Sequence, residues 1–230
     1  METKNLFKSF NYDLSNNKKL LFDNYCQYLI EKNKEFNLTA ITEIDEIWVK
    51  HFLDSILPLN EIKDNSKILD VGTGAGFPGV PLKIMNDSLN VTLLDSLNKR
   101  INFLNELIEK LGLRNIRTIH SRAEDYVKVS RETFDYVVSR AVAKLPTLLE
   151  YCLPYVKVGG YFIAYKSVNT DEEIEISKNA LKILGGQIDK EKTRTINLED
   201  NTRTLIFIKK IRNTPIKYPR GQNKPKNTPL

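Results

Sequence analysis

The run Lys67-Ile-Leu-Asp-Val-Gly-Thr-Gly-Ala-Gly-Phe-Pro-Gly79 constrains this chain more than any other stretch. Ile68, Leu69 and Val71 make the short apolar run expected of a parallel strand covered on both faces. Gly72, Gly74 and Gly76 come next, where a backbone without Cβ can turn tightly and approach a ligand closely. Pro78 suits the first turn of a helix, because the N–H it lacks has no partner there. A strand breaking into a glycine turn and then a helix opens an α/β sheet of the kind that binds ligands at the carboxyl ends of its strands. Glycines at such a turn also have a purely steric reading, so the turn needs support from elsewhere.

Asp95 supplies that support. It ends a second apolar run, Val91-Thr-Leu-Leu-Asp95, about 20 residues after the glycines, where an acid at the next strand tip grips ribose hydroxyls. Asp70, two residues before the first glycine, then separates the ribose-bearing cofactors. A carboxylate beside the turn repels a dinucleotide pyrophosphate and attracts the cationic methionine end of S-adenosylmethionine. A nicotinamide oxidoreductase would use the glycines and Asp95 but leaves Asp70 without a role; cofactor titration separates the two.

The remaining pattern divides the chain into three parts: a helical extension over 1–62, an α/β core over 63–211 and a basic, proline-containing arm over 212–230. Ser15 is positioned to cap a helix running to Phe36, with Leu21, Tyr25, Tyr28 and Leu29 on one face. Thr42-Glu-Ile-Asp45 has the form of a second capped start, carrying Ile44, Ile47, Trp48, Phe52 and Ile56 inward. His51 falls on that stripe and reads as a packed histidine with one hydrogen bond, Asp54 and Ser55 being its nearest local partners. From Lys67 strands are expected at 67–71, 90–94, 116–119, 134–138, 161–165 and 205–208. Helices fall between them, including one whose stripe ends at Cys152 and Val156 and one opened by the capping box Thr170-Asp-Glu-Glu173. Residues 121–126 read as a loop, and the fourth strand, ending at Val138, leads into Ser139-Arg-Ala-Val142. The fold class is therefore α/β with a mostly parallel, doubly wound, Rossmann-like sheet. The glycine turn, Asp95, Glu124 and Arg140 converge on one rim of it.

Composition sets limits on function. Of the 230 residues 41% are hydrophobic, enough for a real core, and no run approaches the roughly 18 apolar residues of a membrane span. With no apolar leader either, the cytoplasm is the expected location and no membrane partner is expected. Two distant cysteines, Cys26 and Cys152, suggest neither a disulfide framework nor a metal cluster, so no metal is expected. The net charge is +6, and the segment from Lys209 to Leu230 alone holds seven basic residues and no acidic one. That localised excess points to a polyanion. Lys217, Tyr218, Arg220, Lys224 and Lys226 are the candidates for contact with such a polyanion, a nucleic acid such as RNA being one, on an arm that its prolines keep extended and that is expected to take no part in cofactor binding.

Several motifs together carry a resemblance. Asn37-Leu-Thr39, Lys50-His-Phe-Leu-Asp-Ser55, the glycine run through Leu82, Leu93-Leu-Asp-Ser96, Lys99-Arg100, Ser121-Arg-Ala-Glu124 and Ser139-Arg-Ala141 resemble the small-ribosomal-subunit RNA methyltransferase G family, also called glucose-inhibited division protein B. The likeness runs through nearly the whole chain in order, and Thr214-Pro-Ile-Lys-Tyr-Pro-Arg220 is similar to the ending of members with a C-terminal extension. The resemblance implies methyl transfer from S-adenosylmethionine to N7 of guanine G527 in the 530 loop of bacterial 16S ribosomal RNA, with that RNA or the small ribosomal subunit as partner; a monomer is expected. By similarity Gly72, Phe77, Ala123, Glu124 and Arg140 take cofactor positions. Gly74, Gly76, Asp70, Asp95 and Ser96 join them from the two motifs. Guanine N7 has a free lone pair and no proton to lose, so no catalytic base is expected, and Arg140 is the one candidate for positioning. Cys152, on an apolar stripe, reads as core packing rather than as a nucleophile.

Overall fold

Alternation along the strands decides the architecture. In the computed structural model, which describes residues 3–140, 143–167, 170–198 and 201–230, successive strand residues point to opposite faces of one sheet. Ile68, Leu93, Val138, Ile163 and Phe207 join one core, and Leu69, Leu94, Val137, Phe162 and Ile208 join the other. Both faces are apolar, so both must be covered, as the continuous apolar runs imply. Ala141 and Val142, in the segment that follows the fourth strand, lie outside the described residues.

Strands β1 (Lys67–Val71), β2 (Asn90–Asp95), β3 (Ile116–His120), β4 (Phe134–Arg140) and β5 (Val156–Lys166) pair in parallel in the order β3-β2-β1-β4-β5. Three further strands, β6 (Gly186–Ile188), β7 (Arg194–Leu198) and β8 (Asn201–Lys210), extend the sheet through antiparallel pairing of β8 with β5, β6 and β7. The order reverses beside β1, so the tips of β1 to β4 surround a crevice at the switch point. The doubly wound, mostly parallel sheet is the one the sequence leads to.

On one face lie the N-terminal helices α1 (Thr3–Ser9) and α2 (Asn16–Phe36), which share a single core with the sheet. Ser15 caps α2 as its spacing requires, accepting from the Lys18 N–H. The next helical segment departs from expectation. It starts as α3 (Ile44–Glu46), with Glu43 rather than Thr42 at its N-cap position, passes through a π-helical stretch (Ile47–Leu53) and ends as α4 (Asp54–Ile56). Ile44 faces solvent, while Ile47, Trp48, Phe52 and Ile56 pack inward. The same face receives α5 (Gly79–Met85) and α6 (Asn98–Leu111), which Gly112 ends in the left-handed conformation.

The other face is covered by α7 (Ala123–Ser130), α8 (Leu145–Cys152), α9 (Thr170–Ile176) and α10 (Lys178–Leu184). Residues 123–126 therefore begin a helix rather than complete a loop, with Val127 and Ser130 as its buried contacts. Val156 belongs to β5 rather than to the preceding helical stripe. Cys152 is fully buried, and burial raises its thiol pKa, as core packing requires.

The C-terminal segment is not an extended arm. Thr214, Tyr218 and Pro225 are buried, and a short helix, α11 (Lys224–Asn227), packs near α8. Arg220 makes a two-pronged ion pair with the fully buried Glu150 of α8, at 2.9 and 2.7 Å, and its backbone N–H adds a third bond at 2.8 Å. Glu132 receives the Thr214 N–H at 2.7 Å, and the Lys210 ammonium, also fully buried, lies 3.1 Å from it. The buried Glu150 carboxylate needs partners, and the tail brings them. No described helix is long and apolar enough to cross a membrane, and no described cluster of His, Cys, Asp or Glu forms a metal site.

Candidate functional site

A cleft of about 570 Å³ opens at the tips of β1 to β4. Its first wall is the glycine turn. The Gly72 and Thr73 N–H groups both donate to the Leu94 carbonyl, at 2.8 and 3.1 Å, tying the turn to the end of β2. Gly74 has φ of +62°, and a Cβ there would project into open space, so the backbone at this point presents itself bare to the cleft.

Asp95 closes the next wall. Its Oδ1 accepts from the Leu97 N–H at 2.9 Å, and its Oδ2 accepts from the Gly74 N–H at 3.0 Å and from Arg100 at 3.2 Å. A carboxylate offers about four lone-pair sites, so roughly one, on Oδ1, stays open toward the cleft. Ser96, Ala123 and Glu124 continue the lining along the tips of β2 and β3.

Asp70 and Gly76, both candidates from the motif, do not line it. The Asp70 carboxylate is fully buried beneath the turn, where Oδ2 accepts from the Thr73 hydroxyl at 2.7 Å and the Gly79 N–H at 2.8 Å. A Cβ on residue 79 would sit 2.9 Å from that oxygen and 2.4 Å from Leu93, which is why glycine stands there. Burial drives the Asp70 pKa up to about 7, against the pull of its two hydrogen bonds, and Oδ1 has no partner among the described residues. Asp70 therefore braces the turn from below instead of facing a ligand's cationic end. Gly76 packs against Tyr25, Val80 and Leu104.

The β4 end of the cleft is built from rings and charges. Phe77 is stacked between Tyr25, at 5.4 Å, and His51, at 4.5 Å, with the Arg140 guanidinium 4.8 Å above its ring. Arg140 donates to Asp54 Oδ2 at 2.7 Å, the Lys50 carbonyl at 3.1 Å and His51 Nδ1 at 3.2 Å. Asp54, itself buried, also accepts from Arg203 at 2.5 and 3.1 Å. Since a guanidinium can only donate, Nδ1 of His51 must be the bare nitrogen. Nε2 then carries the proton and donates to the Thr39 hydroxyl at 2.8 Å. Burial first, and the Arg140 charge second, lower the His51 pKa to about 3, so the ring stays neutral at ordinary pH. His51 is thus doubly held and lines the cleft, where its position on an apolar stripe suggested one bond and local partners. The Ser55 hydroxyl donates to the His51 backbone carbonyl and not to the ring.

Beyond His51 and Arg140 lies a second cavity of about 240 Å³, lined by Ile41, Lys50, Asp54, Leu198 and Arg203 as well as by those two residues. The two cavities share His51 and Arg140 as a common wall. Sequence reasoning missed Thr39, Tyr151, Arg203 and Asn223. Thr39 had a signal in the Asn-Leu-Thr motif; the others come from folding distant segments together.

A sequence profile of the family described as rRNA small subunit methyltransferase G matches residues 18–206. The chain belongs to this family. A ribosomal RNA small subunit methyltransferase G of Lachnoclostridium phytofermentans is 52% identical over 227 residues, covering 97% of this chain and 94% of that one. One from Desulforamulus reducens is 49% identical, covering 99% and 96%. Among solved structures, a SAM-dependent methyltransferase from Aquifex aeolicus aligns with a TM-score of 0.54 at 20% identity, over 78% of this chain and 97% of that one. The M. jannaschii TYW2 complex with AdoMet aligns with a TM-score of 0.55 at 16% identity, over 69% and 77%. These likenesses show the Rossmann-like methyltransferase fold.

S-adenosylmethionine is the methyl donor that this fold and family imply, and the residues present fit it. The cleft volume falls in the range of about 300–1,000 Å³ usual for small-ligand sites. A bare glycine turn, an acid with an open lone pair at the β2 tip and an aromatic floor at the β4 tip form a chain of contacts suited to an adenosine joined to an amino acid. Of the ten cofactor candidates, Gly72, Gly74, Phe77, Asp95, Ser96, Ala123, Glu124 and Arg140 line the cleft. Of the RNA candidates, Lys217, Lys224 and Lys226 are exposed, whereas Tyr218 is buried and Arg220 is committed to Glu150.

Proposed function

We propose that this chain, as a cytoplasmic monomer, methylates N7 of guanine G527 in the 530 loop of 16S ribosomal RNA within the small subunit. Family membership supports ribosomal RNA methylation with S-adenosylmethionine as donor. The observation that carries the finer reading is the shared wall between the two cavities. The donor, when bound, supplies an electrophilic methyl group on a sulfonium. The smaller cavity, on the far side of His51 and Arg140, then takes the acceptor base.

The chemistry of that wall suits a nucleophile with nothing to deprotonate. His51 is neutral with both ring nitrogens engaged, and Arg140 has no lone pair to offer. Neither is free to serve as a general base, and N7 of guanine requires none. Arg140 and His51 instead fix each other and the Phe77 floor, so the reacting groups are aligned by a rigid surface. Ile41 and Leu198 offer apolar faces to a purine, while Lys50 and Arg203 are donors that suit guanine O6 and not the amino group adenine carries there. Asp95 binds a ribose hydroxyl through its open lone pair, with Gly72, Gly74, Ser96, Ala123 and Glu124 along the same cleft. The exposed Lys99, Arg122, Lys217, Lys224 and Lys226 contact RNA phosphates, which fix position without reading sequence.

Mapping N7-methylguanine in small-subunit RNA from cells with and without this protein tests the proposal. The modification is expected at G527 only where the protein is present. Unchanged methylation at that base in its absence would refute it.

A further inference from the structure

The exposed side chain of Asn223 lines the cofactor cleft, although it belongs to the basic tail. Its backbone is left-handed, with φ of +56°, and its carbonyl accepts the N–H groups of Lys226 and Asn227 at 3.0 Å each. Its side chain makes no cap to α11, and no described residue hydrogen-bonds the amide. An amide that carries two donors and an acceptor is thus presented to the cleft with all of them free.

Its place along the cleft is set by the strand order β3-β2-β1-β4. Arg140 marks the β4 end and Glu124 the β3 end, with Asp95 between them. Tyr151, which shares the lining, stands on α8 one residue from Glu150. Helix α8 packs against α7, which opens with Ala123 and Glu124 on the same cleft wall, so Tyr151 belongs to the Glu124 end. The tail is fastened to the same helix. Arg220 clasps Glu150, the Arg220 guanidinium also donates to the Thr228 carbonyl at 2.8 Å, and the buried Thr147 hydroxyl donates to the Pro225 carbonyl at 2.9 Å. One helix therefore carries both a wall of the cleft and the anchors on either side of Asn223.

We propose that the C-terminal segment is a strap that completes the purine end of the cofactor cleft, with the Asn223 amide hydrogen-bonding the purine edge. This rests on the reading that the cleft takes S-adenosylmethionine with its ribose on Asp95. With the ribose there and the methyl group toward Arg140, the base lies toward Glu124, Tyr151 and Asn223. The tail then has a role in cofactor binding, the reverse of what its composition suggested. Its exposed lysines remain available for RNA.

The test is calorimetric, on full-length protein, with S-adenosylhomocysteine and its deaminated analogue S-inosylhomocysteine, which differs only at the purine edge. Glycine adopts positive φ without strain, so Asn223→Gly keeps the backbone while removing the amide. Affinity for S-adenosylhomocysteine should fall about threefold to tenfold, the range of one neutral hydrogen bond, and discrimination against the inosine analogue should narrow. A Glu150→Leu/Arg220→Met pair releases the strap without leaving a buried charge alone. It should weaken binding at least as much, and adding Asn223→Gly to it should then cost nothing further. Wild-type affinity and discrimination in Asn223→Gly would overturn the strap, as would full additivity with the released variant. A wild-type protein that binds neither S-adenosylmethionine nor S-adenosylhomocysteine would overturn the reading of the cleft, and the strap with it.

Discussion

Replacing Asp95 with alanine separates two jobs that one carboxylate performs. Three of its lone-pair sites are occupied within the protein, by Leu97 N–H, Gly74 N–H and Arg100, at 2.9, 3.0 and 3.2 Å. That leaves about one site for a ribose hydroxyl, so a single charge-assisted hydrogen bond to the ligand is at stake, about 1.5–3 kcal/mol. The dissociation constant for S-adenosylhomocysteine should rise roughly tenfold to a hundredfold. Freeing Gly74 N–H loosens the turn as well and adds to the loss. A ligand-side change isolates the ribose share. Calorimetry of both proteins with S-adenosylhomocysteine and with an analogue lacking the ribose hydroxyls forms a double-mutant cycle. The wild type should penalise the deoxy ligand, and Asp95→Ala should not. A variant that binds the cofactor as the wild type does, or that still discriminates against the deoxy analogue equally, would remove Asp95 from the ribose site.

Three further outcomes rest on the same geometry. Arg140→Lys keeps the charge but cannot reach Asp54, the Lys50 carbonyl and His51 together, so single-turnover methyl transfer should drop about tenfold to a hundredfold in a folded protein; a normal rate would sink this role. The unfolded chain protonates His51 near 6.5 and the folded protein only near 3, so this group's stability contribution is complete above pH 6.5 and is lost as pH falls toward 3, by up to about 1.4 kcal/mol per unit. Asp70 works with the opposite sign below pH 7, so the proper readout is the difference in denaturant stability between wild type and His51→Gln, which should shrink on acidification; a constant difference would contradict the buried neutral ring. Asp70→Asn keeps an acceptor for Thr73 and Gly79 and removes a buried charge, so it should be more stable than wild type at pH 8, by about 1–2 kcal/mol in urea unfolding, and equal stability there would show that the charge is not strained.

The parts of the fold that were legible are those where a local pattern is also the global constraint. Apolar runs at 68–71 and 91–94 had to be buried strands, Ser15 had to cap α2, and Gly112 had to stop α6. Asp95 was legible because a strand tip and a cofactor spacing coincide there. Asp70 was read as facing a ligand, since sequence shows that a carboxylate lies near the turn but not on which side of it. Helix α7 was hidden because only Val127 and Ser130 are buried in it, too few for a periodic signal. The π-helical stretch adds residues to a turn and shifts the spacing that would otherwise forecast His51's partners.

The tail failed for a different reason. A segment without periodicity announces no regular element, yet single anchors fasten it wherever a partner waits. Glu150 and Glu132 lie far from it in sequence, and nothing in the pattern around them shows that Arg220 and Thr214 will meet them. Arg203 is the same case: its role rests on Asp54, which only β8's place in the sheet brings near.

The most direct measurement is transfer of a labelled methyl group in a purified system. Protein, S-adenosylmethionine labelled in the methyl group and small ribosomal subunits from cells lacking this protein are incubated, and the label is located by nuclease mapping. One methyl group per RNA molecule is expected, on N7 of G527. Label on another base or another atom, or none on RNA, would contradict it.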